Sequence, residues 1–253
     1  MDTATNNDRT HISVILDRTG SMEPIRADTI GGFNSFLAQH QALNAGTTFT
    51  LVQFDTQDPF EVLHGFVPIE RVKPLTEETF VPRGGTPLND AICRGIIDLD
   101  GRLSALPAGE RPSRVLFVIV TDGQENSSRE FTGAQVRGMI DAHRKAGWQF
   151  VFLSADEAAV SNGREVNIEE RYSMAVPKSA RGTRDLWRMA ASRSSDFVSQ
   201  SVCDMDMTEL KAARIREMRE EEERQAREAR EARAKARAER AAQAGQGGAP
   251  TGQ

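Results

Sequence analysis

Oxygen-bearing side chains cluster in the segment that follows the first apolar run of the chain. Asp17, Thr19 and Ser21 are spaced two residues apart, so an extended turn would point all three to the same side. Gly20 lies among them and allows the backbone to bend sharply. One carboxylate and two hydroxyls directed at one point are suitable ligands for a hard cation, because such ions prefer oxygen donors.

Two further oxygen donors occur later in the chain. Asp122 closely follows the most apolar segment, residues 115–120, and Thr86 lies in a loop next to two glycines. If the segments before Asp17 and Asp122 form neighbouring strands, the five side chains converge as two carboxylates and three hydroxyls. The set contains no His or Cys, which disfavours zinc and copper and favours Mg²⁺ or Mn²⁺. Five protein groups would leave one coordination position for a carboxylate of another protein.

Apolar periodicity predicts the elements that would position these side chains. Strands are predicted at residues 12–16, 115–120 and 149–153, and a hairpin at 47–54 and 60–67. Helices are predicted at residues 24–43, at 87–103, from a capping box at 127–130 as far as Gly147, and at 183–202. This alternation predicts a Rossmann-like α/β fold, with an open, mostly parallel sheet, an antiparallel edge hairpin and helices on both faces. Such sheets bind ligands beyond the carboxyl ends of their strands, where the strand order reverses.

Composition divides the chain into four segments. We predict a disordered N-terminus at residues 1–10, a folded domain at 11–206, a charged Ala/Arg/Glu helix at 207–243 and a disordered tail at 244–253. No apolar run approaches the roughly 20 residues that span a bilayer, so no membrane association is expected. The first eight residues lack the features of a secretory signal, and a cytoplasmic location is therefore expected.

Charge is unevenly distributed along the chain. Residues 211–243 contain 11 Lys and Arg against 8 Asp and Glu, a balance of +3, which leaves 21 against 29, a balance of −8, for the rest. The acidic body disfavours nucleic acid as its ligand, because cationic side chains drive phosphate binding. The arginine-rich tail could bind nucleic acid only weakly, since glutamates are interleaved with its arginines, and a solvated spacer helix is the preferred interpretation.

Three short motifs resemble the metal-ion-dependent adhesion site, or MIDAS, of von Willebrand factor type A (vWA) domains. They are D-R-T-G-S from Asp17, G-G-T-P-L from Gly84 and T-D-G-Q-E-N from Thr121. The usual first motif is D-x-S-x-S, and here Thr19 replaces the first serine and keeps the hydroxyl. The resemblance covers about residues 11–200. It implies that a divalent cation is bound by the same five residues, Asp17, Thr19, Ser21, Thr86 and Asp122.

The resemblance also implies a function. The chain is similar to bacterial-type intracellular vWA domains. This similarity implies an adaptor that binds an Asp or Glu side chain of a partner protein through the metal and has no enzymatic activity. In this family such domains often act in larger assemblies, including bacterial stress-response systems and AAA-type machines. Arg18 would lie at the rim of the site, where it either steers an acidic partner or has an ordinary surface role.

The first motif has a second resemblance, to the D-K-T-G-T phosphorylation motif of P-type ATPases. This resemblance implies an alternative, an Mg²⁺-dependent phosphoryl-transfer enzyme with Asp17 as the nucleophile. Such an enzyme needs a cation beside the nucleophile and further acidic residues for magnesium. Arg18 stands where that family has lysine, but residues 121–126 lack the second aspartate of G-D-G-x-N-D. The four histidines are scattered over different elements, so binding is preferred to catalysis.

Overall fold

Six strands form one sheet in the computed structural model, which describes residues 9–43, 45–155, 166 and 168–246. The strands are β1 (Thr10–Asp17), β2 (Thr48–Phe54), β3 (Glu61–Pro68), β4 (Arg114–Thr121), β5 (Gln149–Ser154) and β6 (Ser173–Ala175). Their order is β3-β2-β1-β4-β5-β6, and every neighbouring pair is parallel except β2 with β3. The predicted open sheet with an antiparallel edge hairpin is confirmed.

Five α-helices are formed by the described residues. They are α1 (Arg26–Leu43), α2 (Leu88–Ala105), α3 (Gly133–Lys145), α4 (Ala180–Val198) and α5 (Thr208–Gln246). Helix α1 packs against α4, whereas α2 packs against α3, so the two pairs cover opposite faces of the sheet as predicted. Within the described ranges, no helix is long and apolar enough to cross a membrane.

The centre of the sheet is the part that positions the candidate site. All residues of β1 are buried, and β4 is buried from Val115 onward, as expected for parallel strands covered by helices on both faces. Strand β1 pairs with β2 on one side and β4 on the other, so the strand order reverses at β1. Because β1 and β4 are parallel neighbours, their carboxyl ends, Asp17 and Thr121, lie at the same edge. The sequence prediction for these two strands is confirmed.

The predicted start of the third helix is wrong. Helix α3 begins at Gly133, and its capping box is formed by Thr132 and Gln135 rather than by residues 127–130. The N–H of Thr132 donates to Oε1 of Gln135 at 2.8 Å. The backbone N–H groups of residues 129–131 instead donate to the carboxylate of Asp90 on α2. A carboxylate from another element therefore replaces the local cap that the spacing predicts.

Three other elements differ in extent from the sequence prediction. A short 3₁₀ helix, Gly20–Ile25, precedes α1 and contains Pro24. Helix α4 begins and ends earlier than predicted, because the Ser179 side chain caps it by accepting a hydrogen bond from the N–H of Gly182 (3.0 Å). Strand β6 is missing from the prediction, since three residues are too few to show a period.

The chain forms two compact units, Met1–Met207 and Thr208–Gln253. In the second unit the structure describes α5, whose large apolar side chains Ile215 and Met218 are exposed. Residues 1–8 and 247–253, which make up most of the two segments predicted to be disordered, lie outside the described residues.

Candidate metal centre

Three loops meet beyond the carboxyl ends of β1 and β4. The first loop is residues 17–21, at the end of β1; the second is residues 83–87, directly before α2; and the third is residues 121–126, at the end of β4. Together the loops contain all five predicted metal ligands. Their location at the reversal of strand order is the usual position of ligand sites in open α/β sheets.

Backbone hydrogen bonds connect the first loop to the second. The N–H of Gly20 donates to the carbonyl of Gly84 at 3.1 Å, and the N–H of Arg83 donates to the carbonyl of Arg18 at 2.9 Å. Gly84 has a φ of +68°, and a β-carbon at this position would lie 2.4 Å from Oγ1 of Thr56. The turn therefore requires glycine, which explains one of the two glycines in the second motif.

Reciprocal hydrogen bonds connect the second loop to the third. The N–H of Thr86 donates to Oδ1 of Asn126 at 2.9 Å, and the N–H of Asn126 donates to the carbonyl of Thr86 at 3.1 Å. This pair positions Thr86 relative to the loop that carries Asp122. No role of Asn126 is predicted from the sequence, where its only signal is its place at the end of the third motif.

Side-chain hydrogen bonds connect the first loop to the third. Oγ of Ser21 donates to Oδ1 of Asp122 at 2.6 Å and lies 3.0 Å from Oγ1 of Thr19. Oγ1 of Thr121 donates to Oδ2 of Asp17 at 2.6 Å, while the N–H of Thr19 donates to Oδ1 of Asp17 at 2.7 Å. Both carboxylates are therefore oriented by neighbouring groups of the same two loops.

Gly123 lies close to a hydroxyl of the first loop and to a hydroxyl of the second loop. A β-carbon built on Gly123 would lie 3.4 Å from Oγ1 of Thr86 and 3.5 Å from Oγ of Ser21. The missing side chain thus leaves a cradle between the two hydroxyls. Hydrogen bonds within and between the loops connect Ser21 to Thr19 and Asp122, and Asp17 to Thr19 and Thr121, while Thr86 and Ser21 both lie close to Gly123. The structure thus brings the predicted residues Asp17, Thr19, Ser21, Thr86 and Asp122 into one region.

The two carboxylates are buried in the same small region. Asp17 is completely buried, and Asp122 is 2% exposed. Desolvation by burial raises the pKa of Asp17 to about 7 and the charge of Asp122 contributes to the rise, whereas hydrogen bonds from Thr121 and Thr19 oppose it. Two buried carboxylates repel each other when both are ionised, so a cation between them would favour their charged forms.

One lysine already contacts the site. Nζ of Lys178, in the segment between β6 and α4, lies 2.6 Å from Oδ2 of Asp122. The lysine side chain is 34% exposed, whereas the carboxylate that it contacts is fully buried. Lys178 is not predicted from the sequence, because this residue lies outside the three motifs and approaches Asp122 only in the folded chain.

The prediction that Arg18 lies at the rim of the site is wrong. Arg18 is 4% exposed, and its guanidinium contacts side chains outside the three loops. Its Nε and Nη2 lie 3.0 Å and 2.8 Å from Oδ2 of Asp55, Nη1 donates to Oε1 of Gln53 at 3.1 Å, and Nη1 also pairs with Glu61. A buried guanidinium requires such partners. Arg18 therefore connects the first loop to β2 and β3 and offsets no charge at Asp17.

The described part of the chain contains no group of three or more His, Cys, Asp or Glu side chains that could hold a metal ion. A metal at the cradle would therefore depend on Ser and Thr hydroxyls together with the two carboxylates. This donor set consists entirely of hard oxygen atoms.

No protein-family model and no curated protein matches the sequence significantly. Solved structures match the fold. The pilus adhesin SpaC from Lactobacillus rhamnosus GG, in its open conformation, is 14% identical over 78% of this chain and 31% of its own, with a TM-score of 0.58. Proximal thread matrix protein 1 from the mussel byssus is 17% identical over 72% of this chain and 45% of its own, with a TM-score of 0.48. Its form with a zinc occupied MIDAS motif has a TM-score of 0.41 at 18% identity, over 72% of this chain and 46% of its own.

At these identities a structural likeness shows the fold alone. The likeness to SpaC supports the vWA-like α/β fold that the three motifs imply. The chain spans less than half the length of the solved proteins that it matches. Any activity or partner of this chain must therefore be argued from its own site.

Proposed function

We propose that this chain is a cytoplasmic adaptor that binds an Asp or Glu side chain of a partner protein through a divalent cation, Mg²⁺ or Mn²⁺. The proposed metal ligands are Asp17, Thr19, Ser21, Thr86 and Asp122. The observation that supports the proposal is the meeting of these five oxygen-bearing side chains, from three loops, around one cradle. Resemblance of the three loops to the MIDAS motifs supports it independently.

The residues around the cradle fit a hard cation. Ser21 and Thr86 place hydroxyl oxygens on either side of Gly123, and Ser21 also orients the carboxylate of Asp122. Both oxygens of Asp17 accept one hydrogen bond each, which leaves each oxygen a second lone pair for the ion or for a water bound to the ion. A bound Mg²⁺ or Mn²⁺ would supply a positive centre with a coordination position for a carboxylate. The two protein carboxylates match the charge of the ion without exceeding it, so the carboxylate of a partner protein is still attracted to the ion.

Phosphoryl transfer, the alternative function, is not favoured by any contact of Asp17. The side chain is completely buried, and each of its oxygens already accepts a hydrogen bond. Arg18, which would have to offset charge at the nucleophile, is instead paired with Asp55. We therefore propose that the chain is a binding protein without enzymatic activity.

Metal titration of the full chain tests the ligand set. Wild type is expected to bind one Mn²⁺ or Mg²⁺ in isothermal calorimetry. Thr86→Val removes the hydroxyl with little change of shape, and it should weaken binding at least about tenfold, or about 1.4 kcal/mol. Thr86→Ser keeps the hydroxyl and serves as the matched control, with affinity near that of wild type. Lack of uptake by wild type, or equal affinity in both variants, contradicts the proposed centre.

Capture experiments test the adaptor role. Immobilised full chain should retain partner proteins from cell extract in Mg²⁺, and it should release them in EDTA. Asp17→Ala should fail to capture the same proteins in Mg²⁺, while Thr86→Ser should capture them. Partners that are retained equally by wild type in Mg²⁺, by wild type in EDTA and by Asp17→Ala would count against a metal bridge.

A further inference from the structure

We infer that Lys178 is a built-in competitor of the divalent cation for Asp122, so that the ion must displace the lysine ammonium when the site is loaded. The inference rests on the proposed function, because it concerns the same site. Its basis is the contact between Nζ of Lys178 and Oδ2 of Asp122, at 2.6 Å. An ammonium in this position gives the buried carboxylate an internal counter-ion when no metal is bound.

Backbone contacts on both sides of Lys178 position the residue whose side chain contacts Asp122. On one side, the N–H of Val176 donates at 3.0 Å to the last carbonyl of β5 and extends the pairing of β5 with β6. On the other side, Ser179 caps α4. Gly182 packs so closely on the carbonyl of Pro177 that a β-carbon would lie 2.2 Å from that oxygen. The position of Lys178 is therefore built into the fold.

The two oxygens of Asp122 have different surroundings, and Oδ2 is buried without a hydrogen bond of regular geometry. Oδ1 accepts the hydrogen bond from Ser21, and Oδ2 contacts the ammonium of Lys178. A divalent ion at the site and the Lys178 ammonium would share the carboxylate of Asp122. Two ionised carboxylates neutralise a divalent ion alone, and an additional ammonium would leave excess positive charge. The ion and Lys178 therefore oppose each other by charge.

The lysine can leave without disturbing the fold. Its side chain is one-third exposed, and its four-carbon stem allows the ammonium to swing into solvent. The work of displacing it lowers the apparent affinity for metal below the value that the oxygen ligands alone would give. As a result, Lys178 sets the concentration of free cation at which the site becomes loaded.

Titration of the full chain with Mn²⁺ tests the inference. Lys178→Met keeps the length of the stem and removes the charge, and it should bind Mn²⁺ at least about five- to tenfold more tightly than wild type. Lys178→Arg keeps a cation at the same position and should bind no more tightly than wild type. Lys145→Met is the matched control, because Lys145 is exposed at the end of α3, at the opposite edge of the sheet, and its loss should leave the affinity unchanged.

Thermal unfolding in EDTA gives a second measurement. Lys178→Met should unfold at a lower temperature than wild type without metal, because Asp122 loses its counter-ion, and the two melting temperatures should converge in excess Mn²⁺, because the ion then displaces the lysine in wild type. Mn²⁺ affinity equal to or weaker than that of wild type overturns the inference and leaves the proposed function intact. Uptake by Lys178→Met but not by wild type supports the inference and contradicts the proposed function. Lack of uptake by both overturns both.

Discussion

At the scale of single residues, the shape of the candidate centre depends on a glycine, Gly123, which has no side chain. Gly123 lies between the hydroxyls of Ser21 and Thr86. Its φ is outside the left-handed region, so alanine can adopt the same backbone conformation. The contacts of 3.4 Å and 3.5 Å that a β-carbon would make are ordinary van der Waals distances. An added methyl group should therefore be tolerated by the fold while it occupies the space between the two hydroxyls.

We predict that Gly123→Ala lowers Mn²⁺ affinity at least about tenfold and changes the free energy of unfolding by less than about 1 kcal/mol. Calorimetric titration and urea unfolding of the full chain measure the two quantities. Gly101→Ala is a suitable control, since a β-carbon at Gly101 would contact nothing within 4 Å and metal affinity should not change. Unaltered Mn²⁺ affinity in Gly123→Ala would mean that the ion does not use the cradle.

Residue types and spacing predicted the candidate ligands but not their neighbours. Asp17, Thr19 and Ser21 form a local pattern that a short loop must present on one side, so sequence alone could group them. Lys178 and the direction of the Arg18 side chain depend on segments that meet only in the folded sheet. No local period or motif encodes such contacts, and for this reason they were missed or misplaced.

At the scale of elements, β1 contains a buried histidine that makes the stability of the sheet depend on pH. Nδ1 of His11 lies 2.9 Å from Oγ1 of Thr48, and the His11 ring stacks on Phe66 with the ring centroids 4.6 Å apart. Desolvation by burial lowers the pKa of His11 to about 3 from an ordinary 6.5, and the charge of Arg102 contributes. Between these two pH values the unfolded chain binds one more proton at His11 than the folded chain does, so stability falls as pH falls.

We predict that wild type loses stability below pH 6.5 more steeply than His11→Phe, which keeps an aromatic ring and cannot be protonated. The difference in slope should approach about 1.4 kcal/mol per pH unit, the value for one proton. Urea unfolding at pH 7, 6 and 5 in EDTA measures it without a contribution from metal. Parallel pH dependence in the two proteins would show that His11 is protonated in the folded state as readily as in the unfolded chain.

Long apolar runs predicted β1 and β4 to within two residues, because a strand covered on both faces must be apolar along its length. The start of α3 was predicted less well. The residues of the expected capping box at 127–130 direct N–H groups to Glu125 and to Asp90 of α2. A local pattern cannot predict an acceptor that another element supplies, and the helix begins only where Thr132 caps it.

At the scale of the whole molecule, the candidate metal centre and the hydrophobic core are separate parts of the first unit. Large side chains such as Trp187, Phe33 and Phe117 are fully buried between the sheet and its helices. The five candidate ligands lie instead at the carboxyl end of β1 and in the segments that follow β1 and β4 or precede α2, at one edge of that sheet. Burial of apolar surface is the dominant favourable contribution to folding, so the core should remain intact without a bound ion.

Metal removal is therefore predicted to lower the melting temperature without unfolding the protein. A cation present at 100 times its dissociation constant stabilises the folded state by about 2.7 kcal/mol, which for a unit of this size raises the melting temperature by roughly 5–10 °C. Far-UV circular dichroism at 25 °C should be the same in EDTA and in Mg²⁺, and thermal melts should differ by this amount. Identical melts in wild type would contradict the centre, and loss of the dichroism signal in EDTA would make the ion a structural requirement. Thr86→Val, with an affinity at least about tenfold lower, should gain about 1.4 kcal/mol or less from the same cation concentration, so its melting temperature should rise by about half as much as that of wild type or less.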